Sequence, residues 1–104
     1  MKRWDIYLAN VRFEDAPNQS KIRPVIVIDN NTVVSVTINC IKMTSQPPRN
    51  GEYVLKDWSA AGLKKQTTVR ISKVLKLNKA DFIKQIGVVQ PIDIVEIQKL
   101  LTLE

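Results

Sequence analysis

KIRPVIVI, residues 21–28, passes in a single step from a cationic segment to an unbroken apolar run. Valine and isoleucine are stiff at χ1 and favour the extended backbone. Four such residues after a proline are too few for a helix, and with no polar alternation they describe a strand buried on both faces. Pro24 has no amide hydrogen for a ladder, so it is expected at the first position of that strand.

The neighbouring segments read outward from this run. Residues 4–11 alternate, with Trp4, Ile6 and Leu8 on one face and Asp5, Tyr7 and Ala9 on the other, as in a strand. Residues 12–21 are polar and form a loop long enough to carry function. Asp29-Asn30-Asn31 signals a turn, and residues 32–43 are β-branched enough for one long strand. TSQPPRNG, residues 44–51, is a loop, and residues 52–56 a strand with Tyr53 and Leu55 on one side. Residues 57–63 form a short helical turn or loop ending at Gly62. Residues 67–71 and 74–77 are strands around Ser72-Lys73, and Asn78 caps a turn through Phe82. Residues 86–89 make a last strand, where Gly87 marks a bulge or a close approach.

Pro91 suits the first position of a helix, and Ile94, Ile97, Leu100 and Leu101 recur on one side of it. Asp93 and Glu96 lie in its first turns, where the dipole favours them. Short strands followed by one helix predict a mainly β fold, a small SH3-like barrel with a C-terminal amphipathic helix, as a single domain over residues 1–104.

Bulk properties narrow the chemistry. The chain has 104 residues, 44% of them hydrophobic, and so short a chain gains from pairing, which makes a homodimer the expectation. The net charge is +6. Asp93, Glu96, Glu104 and Lys99 make residues 91–104 net −2, so residues 1–90 carry +8, from 15 basic and 7 acidic groups. A body of that charge suits a polyanion, either a nucleic acid or an acidic protein. No apolar run approaches a membrane span or a signal peptide, so the expected compartment is the cytoplasm.

The chain contains no histidine and one cysteine, Cys40, which sits in an apolar run and is expected as a buried thiol. Histidine acid–base pairs, a catalytic triad and a zinc site are therefore excluded, and no metal or cofactor is expected. The three glycines stand apart, so no phosphate loop exists. What remains is arginine, lysine, hydroxyls and carboxylates, a set suited to electrostatic work on a phosphate. Arg23, where the polar loop meets the buried strand, is either a solvated flanking charge or a guanidinium held at a rigid edge. Thr44, at the end of the long strand, either satisfies a turn or holds a phosphate oxygen. Tyr53 and Trp58 are candidates for base stacking or for the core, and Lys42, Arg49, Lys64 and Lys65 for following a nucleic-acid backbone.

Taken in order, WDIYLANV, a polar loop, KIRPVIVIDNN, CIKMTSQ, AGL, TTVRISKVLKL, IGVV and the terminal helix resemble the MazF/PemK/Kid family of type II toxins over essentially the whole chain. The R-P and T-S-Q elements carry most of the likeness. The resemblance implies a PemK-type barrel and a metal-independent, sequence-selective endoribonuclease that attacks single-stranded RNA through the 2′-hydroxyl. It implies catalytic roles for Arg23 and Thr44, and substrate contacts from Ser45, Gln46 and Arg70. The family's first loop corresponds to DAPNQSK, residues 15–21, which keeps Gln19 and Ser20 as substrate-contact candidates and has no glycine. Trp4 stands where the family has a glycine. The implied partners are RNA, an acidic antitoxin and a second copy of the chain. Two other readings remain open: a non-catalytic toxin of the gyrase-poison kind, and a plain RNA- or protein-binding barrel.

Overall fold

The computed structural model describes residues 1–13, 15–29 and 37–103. Among these residues six strands form one antiparallel sheet: β1 (Asp5–Arg12), β2 (Ser20–Val27), β3 (Thr37–Thr44), β4 (Tyr53–Val54), β5 (Thr68–Asn78) and β6 (Phe82–Val88), in the order β4-β5-β3-β2-β1-β6. A 3₁₀ turn, Lys79–Asp81, joins β5 to β6, and helix α1 (Pro91–Leu103) ends the chain. The expected mainly β architecture with a terminal helix is present.

Both faces of the sheet are apolar at its centre. Ile6, Ile26, Ile41, Met43, Val69 and Ile71 form the main core with Trp4, Leu55, Val89 and Ile97. Ala9, Val11, Val25 and Cys40 form a second cluster, with Tyr7 and Phe82 meeting edge to face. Val25, Ile26 and Val27 are fully buried, as the unbroken run predicts. Cys40 is also inaccessible, and burial pushes its thiol up to about 12.

Several boundaries differ from the sequence expectation, chiefly through strand pairing. Pro24 lies inside β2, opposite Leu8, because the hairpin with β1 extends back to Ser20. β2 pairs with β3 only over Val25–Val27, so Pro24 stands where that side of the strand has no ladder. The two strands expected around Ser72-Lys73 are one continuous β5, and the interruption appears instead as a slip in its pairing with β3. β4 is only two residues long and β6 begins four residues earlier than expected, at Phe82, while the segment through Leu63 is a turn, as expected. The expected turn at Asn30-Asn31 and the first part of the long strand lie outside the described residues.

Gly87 fulfils both of its expected roles. Ile6 faces Gly87 while Tyr7 faces Gln85, so Ile86 bulges from β6. A methyl group on Gly87 would lie 1.6 Å from the Ala61 carbonyl oxygen. Gly62, at φ +99°, is equally confined on the other side of this crossing, and the Val88 amide donates to Ala61 across it. Trp4 also has a left-handed backbone, φ 77°. For a non-glycine residue that costs about 1–2 kcal/mol. Its ring is buried in the main core beneath the Arg3 guanidinium, 5.1 Å from the ring centre. Its amide donates to Val27 and its carbonyl accepts from Val89, tying the ends of β2 and β6 together.

Helix α1 buries Ile97, with Ile94, Leu100 and Leu101 packed beside it. Asp93 does more than suit the helix dipole. It is fully buried and accepts three hydrogen bonds: from the Tyr53 hydroxyl and from the amides of Lys56 and Asp57, both at 2.9 Å. Burial and the Asp93 carboxyl both push the Tyr53 phenol above its ordinary value. Asp93→Ala should strand one hydroxyl and two amides at roughly 1 kcal/mol or more each, lowering stability by about 3 kcal/mol. Tyr53→Phe should cost about a third of that. Urea unfolding midpoints of the two variants check the ratio; an Asp93→Ala midpoint equal to that of the parent would refute the role assigned to this carboxylate.

Candidate functional site

The β1–β2 register pairs Ala9 with Arg23 and Val11 with Lys21. Alternation along each strand then puts Lys21 and Arg23 on one face. The β2–β3 ladder pairs Val25 with Lys42 and stops there. Carrying the same register two residues further would set Arg23 opposite Thr44. No ladder joins the strands at that level, and the space between them is a cleft of about 300 Å³.

The other wall comes from β5. Ile41 faces Val74, but Met43, two residues on, faces Val69, five residues back. Arg70 lies in the excess length of β5 at this slip and lines the same cleft. Its Nε donates to Glu52 Oε2 at 2.9 Å, and the Arg49 amide donates to Glu52 Oε1 at 2.9 Å. The Arg49 amide, and after it the Arg70 guanidinium, hold the Glu52 carboxyl below its usual range. Arg70 is thus fixed at one end and 27% exposed along its side chain.

The floor turns at Thr44-Ser45-Gln46. The Gln46 amide donates to Thr44 Oγ1 at 3.2 Å, and the Gln46 carbonyl accepts from Thr68 Oγ1 at 3.0 Å. Thr44 Oγ1 accepts in that contact and keeps its own hydrogen to give. Arg12, Lys21, Arg23, Lys42 and Arg70 all border the cleft, and among the described residues no carboxylate lines it. Five cations around so small a space create a site suited to a polyanion.

Of the residues singled out in the sequence, Arg23, Thr44, Ser45, Gln46, Arg70 and Lys42 come together here. Gln19 and Ser20 do not line the cleft: Gln19 closes the β1–β2 connection through its amide and carbonyl, and Ser20 opens β2 opposite Arg12. Tyr53 is held by Asp93, and Tyr53 and Trp58 both pack against the main core. Arg49, Lys64 and Lys65 lie outside the cleft, as do Asp15 and Asp29, while Glu14 falls outside the described residues. Sequence reasoning missed Arg12, Lys21 and Phe13, the aromatic ring that does border the cleft. Treating residues 12–21 wholly as loop hid them; extending the hairpin register past Val11 would have found Lys21. Among the described residues no group of three or more histidine, cysteine or acidic side chains could hold a metal ion.

A family model described as "PemK-like, MazF-like toxin of type II toxin-antitoxin system" matches residues 2–103. No curated protein sequence matches the chain. Among solved structures, an endoribonuclease from a mycobacterial species superposes with a TM-score of 0.76 at 14% identity, over 99% of this chain and 88% of that one. A mycobacterial endoribonuclease in complex with its cognate antitoxin gives 0.78 at 14% identity, over 99% and 92%. A MazE–MazF structure from Deinococcus radiodurans gives 0.75 at 12% identity, over 97% and 92%. At these identities the likeness is one of fold.

The lowered Glu52 carboxyl has a definite pH signature. A group whose folded value lies below its unfolded value stabilises the fold above the unfolded value, here near 4.5, and that contribution is lost as pH falls through the folded value. Glu52→Gln should therefore flatten the loss of stability on acidification below about pH 4.5. Urea midpoints of parent and variant measured from neutral pH downward test this; parallel curves would rule out the Glu52 anchor.

Proposed function

The chain belongs to the PemK-like, MazF-like toxin family of type II toxin–antitoxin systems, and on that premise we propose that it is an endoribonuclease cutting single-stranded RNA sequence-selectively and without a metal ion. The observation that supports this reading is the juxtaposition of Arg23 and Thr44 on facing lips of one cationic cleft.

In the reaction, the 2′-oxygen beside the scissile phosphate bonds to phosphorus and releases its proton to water. The bond to the 5′-oxygen breaks, and that oxygen takes up a proton. The products are a 2′,3′-cyclic phosphate and a free 5′-hydroxyl. Negative charge accumulates on the non-bridging oxygens as five-coordinate phosphorus forms. Arg23, permanently protonated, donates to those oxygens, and the Thr44 hydroxyl donates alongside it. Arg70 adds charge from the third side, held by Glu52. Phe13 offers a ring on which an unpaired base can stack, with Ser45 and Gln46 at its edges.

No helix among the described residues is long and apolar enough to cross a membrane. The proposed site of action is the cytoplasm, where messenger RNA is available. An acidic, partly disordered antitoxin suits the basic body and would compete with RNA for the cleft. Ile92 and Val95 are about half exposed on the outer side of α1, an apolar surface in keeping with a homodimer.

The test is incubation of the purified protein with mixed RNA in chelator, followed by sequencing of the fragment ends. Discrete fragments ending in cyclic phosphate are expected. Removing one preorganised donor typically costs ~10²–10³ in rate, so Arg23→Ala and Thr44→Ala should each fall by that order. Variants that cut as fast as the parent would overturn the assignment. Intact RNA with growth arrest would point instead to a non-catalytic poison.

A further inference from the structure

The cleft does not end at the phosphate. A second depression of about 380 Å³ adjoins it, bordered by the same Arg12 and Lys42 and by Ser72, Lys73 and Val74 of β5. A third, of about 180 Å³, shares Arg12 with both and adds Lys76. The excess residues of β5 at its slip against β3 thus form the wall of a continuous groove. Arg12, Lys42, Lys73 and Lys76 succeed one another along it. Among the described residues the one carboxylate at its border, Asp81, stands at the far end and accepts from the Asn78 amide at 3.1 Å. Val74 is 48% exposed here, an apolar surface between cations. Charges spaced along a groove with apolar surface between them match a chain of phosphates carrying unpaired bases. A compact anion would need them converging on one point.

We propose that this groove is a phosphate track for the RNA flanking the scissile bond, leading from the cleft past Arg12 and Lys42 to Lys73 and Lys76. It rests on the endoribonuclease reading and adds a path for the substrate. That path runs over β5 and away from Arg49, Lys64 and Lys65.

The experiment measures binding of a labelled, randomised twenty-nucleotide single-stranded RNA across a salt series. The parent is the Thr44→Ala protein, which cuts RNA ~10²–10³ more slowly, so binding is read before cleavage is appreciable. Each phosphate contact to a single strand contributes roughly −0.7 to the log–log salt slope. Lys73→Gln with Lys76→Gln should therefore lower the slope by roughly 1.4, and Lys76→Gln alone by about 0.7. Lys64→Gln with Lys65→Gln should leave it unchanged. Equal urea midpoints establish that the variants fold. An unchanged slope in the Lys73/Lys76 pair overturns the track, as does an equal loss in the Lys64/Lys65 pair. So does a pair that loses affinity for a polyglutamate peptide while keeping its RNA slope, which would assign the groove to a protein partner. These failures are separable from failure of the activity itself, because the unsubstituted protein is assayed for RNA cleavage in parallel. If it cuts RNA, only the track falls; if it neither cuts nor binds, both do.

Discussion

Pro24 has no amide hydrogen to give, and the pairing of β2 with β3 ends one residue after it, at Val25. Everything distinctive about the cationic face follows from that stop and from its counterpart across β3. With the ladder closed over Val25–Val27 and open below, Arg23 and Thr44 lie at matching levels of two strands that no longer touch. On the far side of β3, the slip between Val74 and Val69 swings Arg70 toward the same space. Two local failures of pairing, one on each side of a single strand, make a concavity in a sheet that would otherwise be continuous.

The openings are tolerable because cohesion is supplied elsewhere. The main core lies on the face occupied by Ile6, Ile26, Ile41 and Met43, and helix α1 closes it with Ile97. Asp93 extends that closure into the short β4 segment, joining the helix to Tyr53, Lys56 and Asp57. Glu52 and Tyr53 are consecutive, yet one orients a guanidinium in the cleft and the other anchors the helix. Site and support therefore meet at the peptide bond between Glu52, just before β4, and Tyr53, its first residue.

Much of this was legible in the residue order. The β-branched run, the alternation of the first strand, the glycine at the bulge and the helix after Pro91 each follow from local stereochemistry, and each is present. What escaped was long-range. Pro24 suggested a strand beginning because a proline's tolerance depends on its neighbours, and only pairing reveals that the β3 side is vacant at that point. Ser72-Lys73 suggested a break because polar residues in a β-branched run usually end a strand; here they belong to the excess length that borders the groove. Tyr53 was ambiguous because an aromatic at a strand edge suits a base or a core equally, until the buried carboxylate opposite it is known. Arg23 and Thr44 could be paired through family likeness, but their common register level is a property of the sheet.

The left-handed backbone at Trp4 has a consequence in time. Its carbonyl is satisfied by Val89, and the strand that follows it pairs Asp5 with Val88. The first strand of the chain therefore completes its bonding only when nearly the last has been made. A ribosome delivering this polypeptide exposes the arginine and threonine segments early, on a sheet whose outer member is still missing. Translation and assembly are offset, because β1 meets its β6 partners only after residues 82–88 have been made.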